Sequence, residues 1–591
     1  MKLLRLQIGE KFRGLQAGFE LYFLREWDRD RESDFAPYVL AGPNGCGKSN
    51  VLEVLAAIFY QVECQYLNYR PEVLIPPDDN GLGEEHHGHE QRPAVSPPNV
   101  YELEYLIPVP ELLQGSSKER FEENAHIQIQ KTADNSAQLY WLNHPEYGDE
   151  KPLSRTEAWE LLPAFVLAYS SGENEILSLP FFKMRFIQFD EYLDSLKNQT
   201  SYAGKPESRQ VFLDNAFNQA ILISNLLFED DESLQPFKEE VGIEGLLQFR
   251  IILKKSIEIP VEQAEGFPEG FLIVEENDLD GSKAYRLPLL HAFESDADEK
   301  RKIGLIDRLQ RCATCSYHDI ESDTLYLDYL VTDATREAFK NNFTSAIDLF
   351  QSLQILLVLN LYSVSESLKK DLYLSASLYV NETVPVLPSD ARVMRFDNLV
   401  LKKSGVKEPI SAKSLSDGEY QFLHCLGLCL LYRNTNSLFL LDEPETHFNP
   451  DWRSQLISRL RDCFQQADKN VQRDMLITTH SPFLLSDSPP EQVLVFAKSE
   501  NTVRVTRPDY NTLGASINKI TMKTFGKKET IGGFAQQKMA MLHERFVAGK
   551  TSSSDADKLA LIDEINNQLG DSVEKILLIK TIFDSMDGEK G

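Results

Sequence analysis

The stretch Gly42-Pro43-Asn44-Gly45-Cys46-Gly47-Lys48-Ser49 decides how the start of this 591-residue chain folds. An apolar segment at 37–41 precedes it and has the pattern of a short buried strand, and apolar residues with helical spacing follow at 50–67. A strand, a glycine-rich loop and a helix form the context in which Gly-x4-Gly-Lys-Ser surrounds phosphates with backbone N–H groups. We expect the nucleotide to be held by Gly42, Asn44, Gly45, Gly47, Lys48, Ser49 and Asn50.

Within this loop, two side chains have distinct expected roles. Lys48 would neutralise the outer phosphate oxygens, and the Ser49 hydroxyl would bind Mg²⁺. The motif also occurs as a plain structural turn, but the flanking strand and helix favour the phosphate-binding interpretation.

A second apolar strand at 437–441 ends in two adjacent carboxylates, Asp442 and Glu443. Because successive side chains of a strand point to opposite faces, the two can serve different roles. Asp442 would hold Mg²⁺, and Glu443 would orient and deprotonate an attacking water. A surface turn is the alternative, and the phosphate loop in the same chain argues against it.

His480 follows a further apolar strand at 475–479. A histidine at a strand end can form a hydrogen bond with a terminal phosphate. It could instead be structural, but its position after the paired carboxylates favours a functional role.

The segment Leu415-Ser416-Asp417-Gly418-Glu419 precedes an apolar helix predicted at 420–432. Ser416 and the backbone of Gly418 would form an anion site at the start of this helix. A similar stretch occurs at Ser170-Ser171-Gly172-Glu173, but it lacks the preceding Leu and is soon followed by Pro180. We expect no comparably long apolar helix after it, and therefore prefer the later copy.

The composition limits the classes of partner. The formal net charge is −30, which argues against a protein coated in nucleic acid, although a local basic groove stays open. The sequence has no run of about 18 uncharged apolar residues and no apolar leader, so we predict a cytoplasmic protein without a membrane span. The seven cysteines, an odd number, fit a reducing compartment.

Two stretches have features of metal sites. Cys312, Cys315 and His318 resemble half of a zinc site, but ordinary thiols explain them more simply because four ligands are usual. The stretch at 84–90, Glu-Glu-His-His-Gly-His-Glu, could also bind a metal, but it lies in a Pro- and Gly-rich segment that favours a solvated loop.

The order of predicted elements indicates an α/β fold in which the two chain ends form one ATPase-like head. We divide the chain into an N-terminal lobe at 1–199, a mainly helical insertion at 200–390, a C-terminal lobe at 391–510 and a helical tail at 511–591. In the tail we expect two apolar helix faces, formed by Ile562, Ile565 and Leu569, and by Val573, Ile576 and Phe583. These faces could pack on the body of the protein or bind a partner.

Taken in order, these motifs resemble the ABC-type ATPase heads of the RecF/SMC group. The loop with Lys48 and Ser49 is similar to Walker A, Asp442 and Glu443 to Walker B, 415–419 to the ABC signature, and His480 to the switch histidine. Phe12-Arg13-Gly14 resembles a stretch whose Arg lies near the nucleotide in RecF-like proteins, which makes Arg13 a further candidate. Gln188 is one candidate for the family's Q-loop glutamine.

The run at 442–450, Asp-Glu-Pro-Glu-Thr-His-Phe-Asn-Pro, resembles most closely the ATPases of bacterial anti-phage defence systems, such as PtuA of Septu and restriction-associated ATPases. The resemblance implies ATP and Mg²⁺ as cofactors and a head-to-tail homodimer or a higher homo-oligomer. In that arrangement each ATP lies between Lys48 of one subunit and Ser416 of the other.

Three functions fit these motifs. The first is an ATPase sensor in anti-phage defence with a separate effector, a nuclease or toxin, since no nuclease motif follows Pro482. The second is a RecF-like DNA-repair ATPase acting on DNA ends or gaps, against which the acidic charge counts. The third, the nucleotide-binding subunit of a transporter, is disfavoured by the long insertion between the motifs.

Overall fold

The computed structural model describes residues 1–24, 35–71, 97–113, 124–133, 135–144, 151–172, 174–200, 202, 208–212, 214–276, 283–294, 303–374, 384, 387–465, 467–468, 470–527, 531–549 and 554–587. The stretch at 84–90, considered above as a metal site, and Glu173 lie outside these residues. The chain divides into two compact units, Met1–Ala515 and Ser516–Gly591, which are described separately.

The strands of the described residues all belong to the first unit. In chain order they are β1 (Lys2–Ile8), β2 (Phe19–Tyr22), β3 (Tyr38–Ala41), β4 (Tyr101–Pro108), β5 (Asn124–Lys131), β6 (Gln138–Trp141), β7 (Phe165–Ser170), β8 (Gln210–Phe212), β9 (Ile243–Lys254), β10 (Ile257–Ile259), β11 (Ile273–Glu276), β12 (Lys283–Leu287), β13 (Cys315–Asp319), β14 (Thr324–Leu330), β15 (Met394–Lys403), β16 (Ile410–Ser411), β17 (Ser437–Asp442), β18 (Asp474–Thr479), β19 (Val493–Ser499) and β20 (Thr502–Thr506).

The helices occur in both units. In chain order they are α1 (Lys48–Tyr66), α2 (Arg155–Glu160), α3 (Glu175–Lys197), α4 (Asn218–Phe228), α5 (Val261–Ala264), α6 (Leu305–Cys312), α7 (Asp333–Asn342), α8 (Ala346–Val358), α9 (Glu366–Leu374), α10 (Asp417–Leu431), α11 (Pro450–Gln465), α12 (Pro482–Ser486), α13 (Ile517–Lys523), α14 (Gly533–Gly549), α15 (Asp555–Gln568) and α16 (Val573–Asp587).

A seven-stranded sheet in the order β20-β19-β3-β18-β17-β7-β8 is built from both ends of the chain. The strands pair in parallel except for β20, which is antiparallel to β19. Every residue of β17 and β18 is buried, which explains why both read as continuous apolar runs. Because β3 lies between β18 and β19, the two ends form one α/β head, as the sequence predicted.

An antiparallel sheet in the order β2-β1-β4-β5-β6 covers the other side of α1. Residues of β1, β4 and β5 share one hydrophobic cluster with α1 and with β3 and β18. Most of α1 is therefore buried, and this burial fixes the position of the glycine loop that precedes it.

The segment at 200–390, predicted to be mainly helical, contains strands as well as helices. β9 pairs with both β14 and β15 in an antiparallel sheet of order β13-β14-β9-β15-β16, and β10, β12 and β11 form a small sheet. Its helices, α4 to α9, contain more residues than its strands, so the segment is mainly helical as predicted. The sequence analysis did not assign the strands, because the alternation of β9 is broken where buried residues run together at its end.

Helix α3 also differs from the expectation for the chain after Ser170. It is 23 residues long, longer than the 15 residues of α10, and it continues through Pro180. Proline removes one backbone hydrogen bond from a helix interior. The apolar residues that flank it, Leu179 and Phe181, are buried, and this packing outweighs the local preference.

One described segment, Ala346–Ser363, is long and apolar enough to span a membrane by length and composition, with a mean hydropathy of 1.3. It consists of α8 and the turn that follows, and 61% of it is buried inside the protein. Its Asp348 carboxylate lies 3.1 Å from the Arg308 guanidinium. Such burial and pairing are typical of a core helix.

The second unit is helical, as predicted, and has its own apolar cluster. The buried members are Leu542, Phe546, Ile562, Ile565, Leu569, Leu578 and Ile582. The predicted face of Val573, Ile576 and Phe583 on α16 is exposed and does not pack within this unit, whereas Leu578 and Ile582 on the same helix are buried. Apolar residues surround much of α16, so periodicity alone did not identify its buried side.

Candidate functional site

Three of the predicted motifs meet at one edge of the parallel sheet. The glycine loop follows β3, Asp442 ends β17, and His480 follows β18, which lies between these two strands. The carboxyl ends of parallel strands share an edge, which is where open α/β sheets bind their ligands.

The glycine loop needs its glycines for conformation and for space. Gly42, Gly45 and Gly47 have φ values of 146°, 73° and 98°, in the region that side chains with a β-carbon rarely adopt. A β-carbon on Gly42 would lie 2.4 Å from the Phe496 carbonyl oxygen. Asn44 and Gly45 are exposed at the tip of the loop.

Lys48 begins α1 and is buried under this loop. Its ammonium group donates hydrogen bonds to the carbonyl oxygens of Gly42 at 3.1 Å and Pro43 at 3.2 Å. Burial lowers the pKa of Lys48, and the nearby carboxylates Asp442 and Glu443 oppose that shift. The loop thus holds a positive charge beside the carboxyl end of β17.

Asp442 is the centre of a hydrogen-bond network. Its Oδ1 accepts from the Ser49 hydroxyl at 2.8 Å and the Thr478 hydroxyl at 2.6 Å, and its Oδ2 accepts from the Asn174 amide at 2.9 Å. Asn174 also donates to Glu53 at 3.2 Å. These contacts fix the carboxylate beside the start of α1.

The residues present fit a magnesium ion held by Ser49 and Asp442. Two neighbouring oxygen ligands of an octahedral Mg²⁺ at about 2.1 Å lie about 3 Å apart, close to the 2.8 Å between these two oxygens. No cluster of three or more His, Cys, Asp or Glu ligands occurs among the described residues. Mg²⁺ sites in nucleotide-binding proteins typically use one or two protein ligands, with phosphates and water completing the shell.

Glu443 has a φ of 48°, in the left-handed region that residues with a β-carbon rarely adopt. Its backbone N–H donates to the Thr478 carbonyl at 3.2 Å, and its carbonyl accepts from the Ser171 hydroxyl at 2.6 Å. A hydrogen bond from His480 lowers the pKa of Glu443, so the carboxylate is ionised near neutral pH. It is about one-third exposed, at 38%.

The Nε2 atom of His480 has two alternative partners. It lies 3.1 Å from the Glu443 carboxylate and 2.9 Å from the Lys48 ammonium. With a proton on Nε2 the ring donates to Glu443, and without one it accepts from Lys48.

Behind these residues, Glu445 is fully buried and links the two strand ends. Its Oε1 accepts a hydrogen bond from the Thr479 hydroxyl, which in turn accepts from the Ser481 backbone N–H at 2.8 Å. Burial raises the pKa of Glu445 to about 7. The backbone on both sides of His480 is therefore tied to the loop that carries Glu443.

Arg13 and Asn50 lie beside the start of α1. The Asn50 side chain accepts from the Gly14 backbone N–H at 3.3 Å and donates to Glu53 at 2.7 Å. The Arg13 guanidinium lies 3.6 Å from the same Glu53 carboxylate. The structure thus joins Arg13 to the Ser49 and Asp442 network through Glu53 and Asn174.

Ser416 and Gly418 lie at the start of α10. The Ser416 hydroxyl is exposed and forms a reciprocal capping box with Glu419. A β-carbon on Gly418 would lie 2.8 Å from the His447 carbonyl oxygen. The start of α10 is therefore packed against the loop that follows Glu443.

The competing stretch at Ser170 lies at the same sheet edge as the candidate site. Ser170 ends β7 beside Asp442, and the Ser171 hydroxyl binds the backbone of Glu443. The sequence missed Asn174, which caps α3 and binds Asp442. Gln188 is buried in α3, thirteen residues after Glu175, the first residue of this helix. At the usual helical rise, the two residues lie about 20 Å apart.

The cysteine and histidine residues near 312–318 do not form a metal cluster in the described part of the chain. Cys312 is buried at the end of α6, whereas Cys315 is exposed on β13. His318 lies 2.9 Å from the Asp323 carboxylate.

A protein-family model described as "AAA domain, putative AbiEii toxin, Type IV TA system" matches residues 316–486. The match is less than half of the chain, and it includes Ser416, Gly418, Asp442, Glu443 and His480. The matched part of the chain is thus similar to an AAA domain. The glycine loop at 42–49 lies outside the matched range and joins it in space through β3.

Individual proteins match more narrowly. Protein ea59 of Escherichia phage lambda is 32% identical over 98 residues, which are 17% of this chain and only 18% of that protein. Solved structures include the SmcHead bound to the C-winged helix domain of ScpA, with 8% identity, a TM-score of 0.33 and coverage of 86% of this chain and 98% of that chain. The SMC head domain from Thermotoga maritima gives 10% identity, a TM-score of 0.30 and coverage of 86% and 100%. With TM-scores this low, the strand order itself, and not the likeness, defines the fold.

Proposed function

We propose that this chain is a Mg²⁺-dependent ATPase whose hydrolytic sites form between two copies arranged head to tail. The observation that carries the proposal is the meeting of Lys48, Ser49, Asp442, Glu443 and His480 at one sheet edge. The predicted anion site at Ser416 is exposed, so Ser416 of a second copy can complete the site around the nucleotide.

The roles follow from the geometry and charge of each side chain. Bound Mg–ATP supplies the phosphoryl group and the charge on which the site acts. Lys48 neutralises phosphate oxygens, and Asp442 with Ser49 holds the metal. Glu443 orients a water and accepts its proton, while His480, adjacent to both Lys48 and Glu443, donates a hydrogen bond to the charge that develops.

We further propose that closure of the dimer controls a separate effector, a nuclease or toxin, in bacterial anti-phage defence. The motif run at 442–450 and the toxin–antitoxin setting in the matching family's description both support this setting. No nuclease motif follows Pro482 in the sequence. A separate polypeptide would then carry the destructive chemistry.

The variant Glu443→Gln tests the ATPase and the dimer together. It keeps the size of the side chain but cannot accept a proton, so ATP should stay bound and hold two copies together. Light scattering after gel filtration should show twice the 67.4 kDa chain mass with ATP and Mg²⁺, and the single mass without them. The matched control, Glu443→Gln with Lys48→Ala, should stay at the single mass, and an unchanged mass of Glu443→Gln with ATP would contradict the proposal.

The effector is tested by affinity purification of the Glu443→Gln protein from its host with ATP. A co-purifying nuclease or toxin supports the defence role. Recovery of DNA alone, lost as salt is raised, would favour the DNA-repair alternative.

A further inference from the structure

A cavity of about 660 Å³ lies apart from the sheet edge that carries the candidate site. It opens between the start of β15, the turn after α8 at 357–361, and residues 215–219 before and at the start of α4. This volume falls within the range of about 300–1,000 Å³ that is usual for pockets that bind small ligands.

The cavity concentrates positive charge in a chain whose net charge is −30. Arg185, Arg392, Arg395 and Lys413 line it, while Asp397 is the carboxylate in its lining. Arg185 forms an ion pair with a further carboxylate, that of Asp214. Two positive charges are therefore left without a carboxylate of their own.

The donors differ in how they are held. The Arg185 guanidinium is fixed by the Asp214 carboxylate at 2.7 Å and the Phe212 carbonyl at 2.5 Å, and lies 4.7 Å from the centre of the Phe217 ring. The Arg395 guanidinium has no hydrogen bond or ion pair with any described residue, and the residue is held by the pairing of its strand with β9. Lys413 lies 3.9 Å from Asp397, at the outer limit of an ion pair. The last two can turn toward a ligand without breaking strong contacts.

We propose that this cavity binds the phosphate group of a small, nucleotide-sized ligand. A phosphate monoester carries about −1.5 to −2 charges near pH 7, which matches the two unpaired positive charges. Guanidinium groups bind phosphate oxygens in pairs, and the rings of Phe217 and Phe396 offer apolar surface for a base. The acidic charge of the whole chain favours a free ligand over a nucleic-acid strand.

The cavity is connected to the signature helix α10. Lys413 lies three residues before Ser416, and the Gln219 amide forms a hydrogen bond with Tyr420 in the first turn of α10. Further along, α4 and α10 are in close contact, since a β-carbon on Gly427 would lie 2.7 Å from Ile221. By fixing the segments that position Ser416, the ligand would regulate the ATPase. This regulatory role rests on the proposed function.

The test measures binding by isothermal titration calorimetry in the Lys48→Ala protein, in which the ATP site is weakened. The probes are inorganic phosphate, pyrophosphate and the four ribonucleoside monophosphates. At least one probe should bind with a stoichiometry of one per chain. The double variant Arg395→Ala with Lys413→Ala should weaken its binding by about tenfold or more, because hydrogen bonds from charged groups to the phosphate are removed. The control pair Lys402→Ala with Lys407→Ala removes two exposed positive charges outside the cavity and should leave affinity within about twofold.

No binding of any probe, or equal loss in both double variants, would overturn the proposal. Binding of a single-stranded DNA 20-mer through Arg395 and Lys413 in place of the monophosphates would also overturn it. The melting temperature of each variant shows whether it is folded. If Glu443→Gln stays monomeric with ATP while probe binding still depends on Arg395 and Lys413, the proposed function fails and the cavity site stands; the reverse result rejects the cavity alone.

Discussion

The buried carboxyl of Glu445 gives a quantitative prediction about the region behind the candidate site. Burial raises its pKa from 4.5 to about 7, and its Oε2 has no hydrogen-bond partner among the described residues. The folded protein therefore keeps the proton at pH values where the unfolded chain has lost it. The contribution to stability is complete below about pH 4.5 and is lost as the pH rises through about 7. The whole shift corresponds to about 3 kcal/mol, of which about 2 kcal/mol falls between pH 5.5 and 8.5.

Glu445→Gln is neutral at every pH and should abolish this loss. Between pH 5.5 and 8.5, the free energy of unfolding of the natural protein should fall by about 2 kcal/mol more than that of the variant. Urea unfolding followed by tryptophan fluorescence is a suitable assay, because all four tryptophans precede residue 515 and report on the first unit. The lower pH stays above the isoelectric point of about 4.9. The exposed Glu491→Gln is the control and should behave like the natural protein, and the same pH dependence in all three proteins would refute the reasoning.

Two further variants test the surroundings of the site. Asn174→Ala removes the amide that binds Asp442 at 2.9 Å, so the Mg²⁺ concentration for half-maximal ATPase activity should rise by about tenfold; an unchanged Mg²⁺ dependence would exclude this role. Gly418→Ala places a carbon 2.8 Å from the His447 carbonyl oxygen and should lower the free energy of unfolding by about 1–3 kcal/mol. It should also weaken ATP-dependent dimerisation. Gly245→Ala, where the new carbon would lie 4.0 Å from the Arg336 guanidinium, is its control in thermal unfolding and light scattering, and equal behaviour of the two would contradict the clash.

The parts of the fold that could be predicted are those that local sequence determines. The glycine spacing at 42–47 requires positive φ values, and the structure has them at Gly42, Gly45 and Gly47. Asp442 and His480 could be placed together because parallel strands that end in polar residues share one edge. Asn449 followed by Pro450 is a local sequence that favours the capped start of a helix, and at α11 the Asn449 side chain accepts from the Trp452 backbone N–H at 2.8 Å.

The parts that were missed depend on contacts between distant segments. Asn174 binds a residue 268 positions away, and nothing in its own stretch indicates that partner. Pro180 suggested that no long helix follows Ser170, but burial of its neighbours keeps α3 helical. In α16, exposed Ile576 and buried Ile582 have the same chemistry, and only packing against the rest of its unit distinguishes them.

The central claim is that one hydrolytic site uses residues from two chains, and complementation tests it most directly. Lys48→Ala removes the phosphate-binding cation, and Ser416→Arg blocks the exposed anion site, so each variant alone should hydrolyse no ATP. In an equal mixture, ATP should join one copy of each variant, because only this pair brings an intact Lys48 to an intact Ser416, and each mixed dimer should hold one intact site of two. The account predicts that ATPase activity rises from none to at most about half of the natural level, if the sites work independently. No recovery in a mixture of folded variants, or full activity of Ser416→Arg alone, would contradict it.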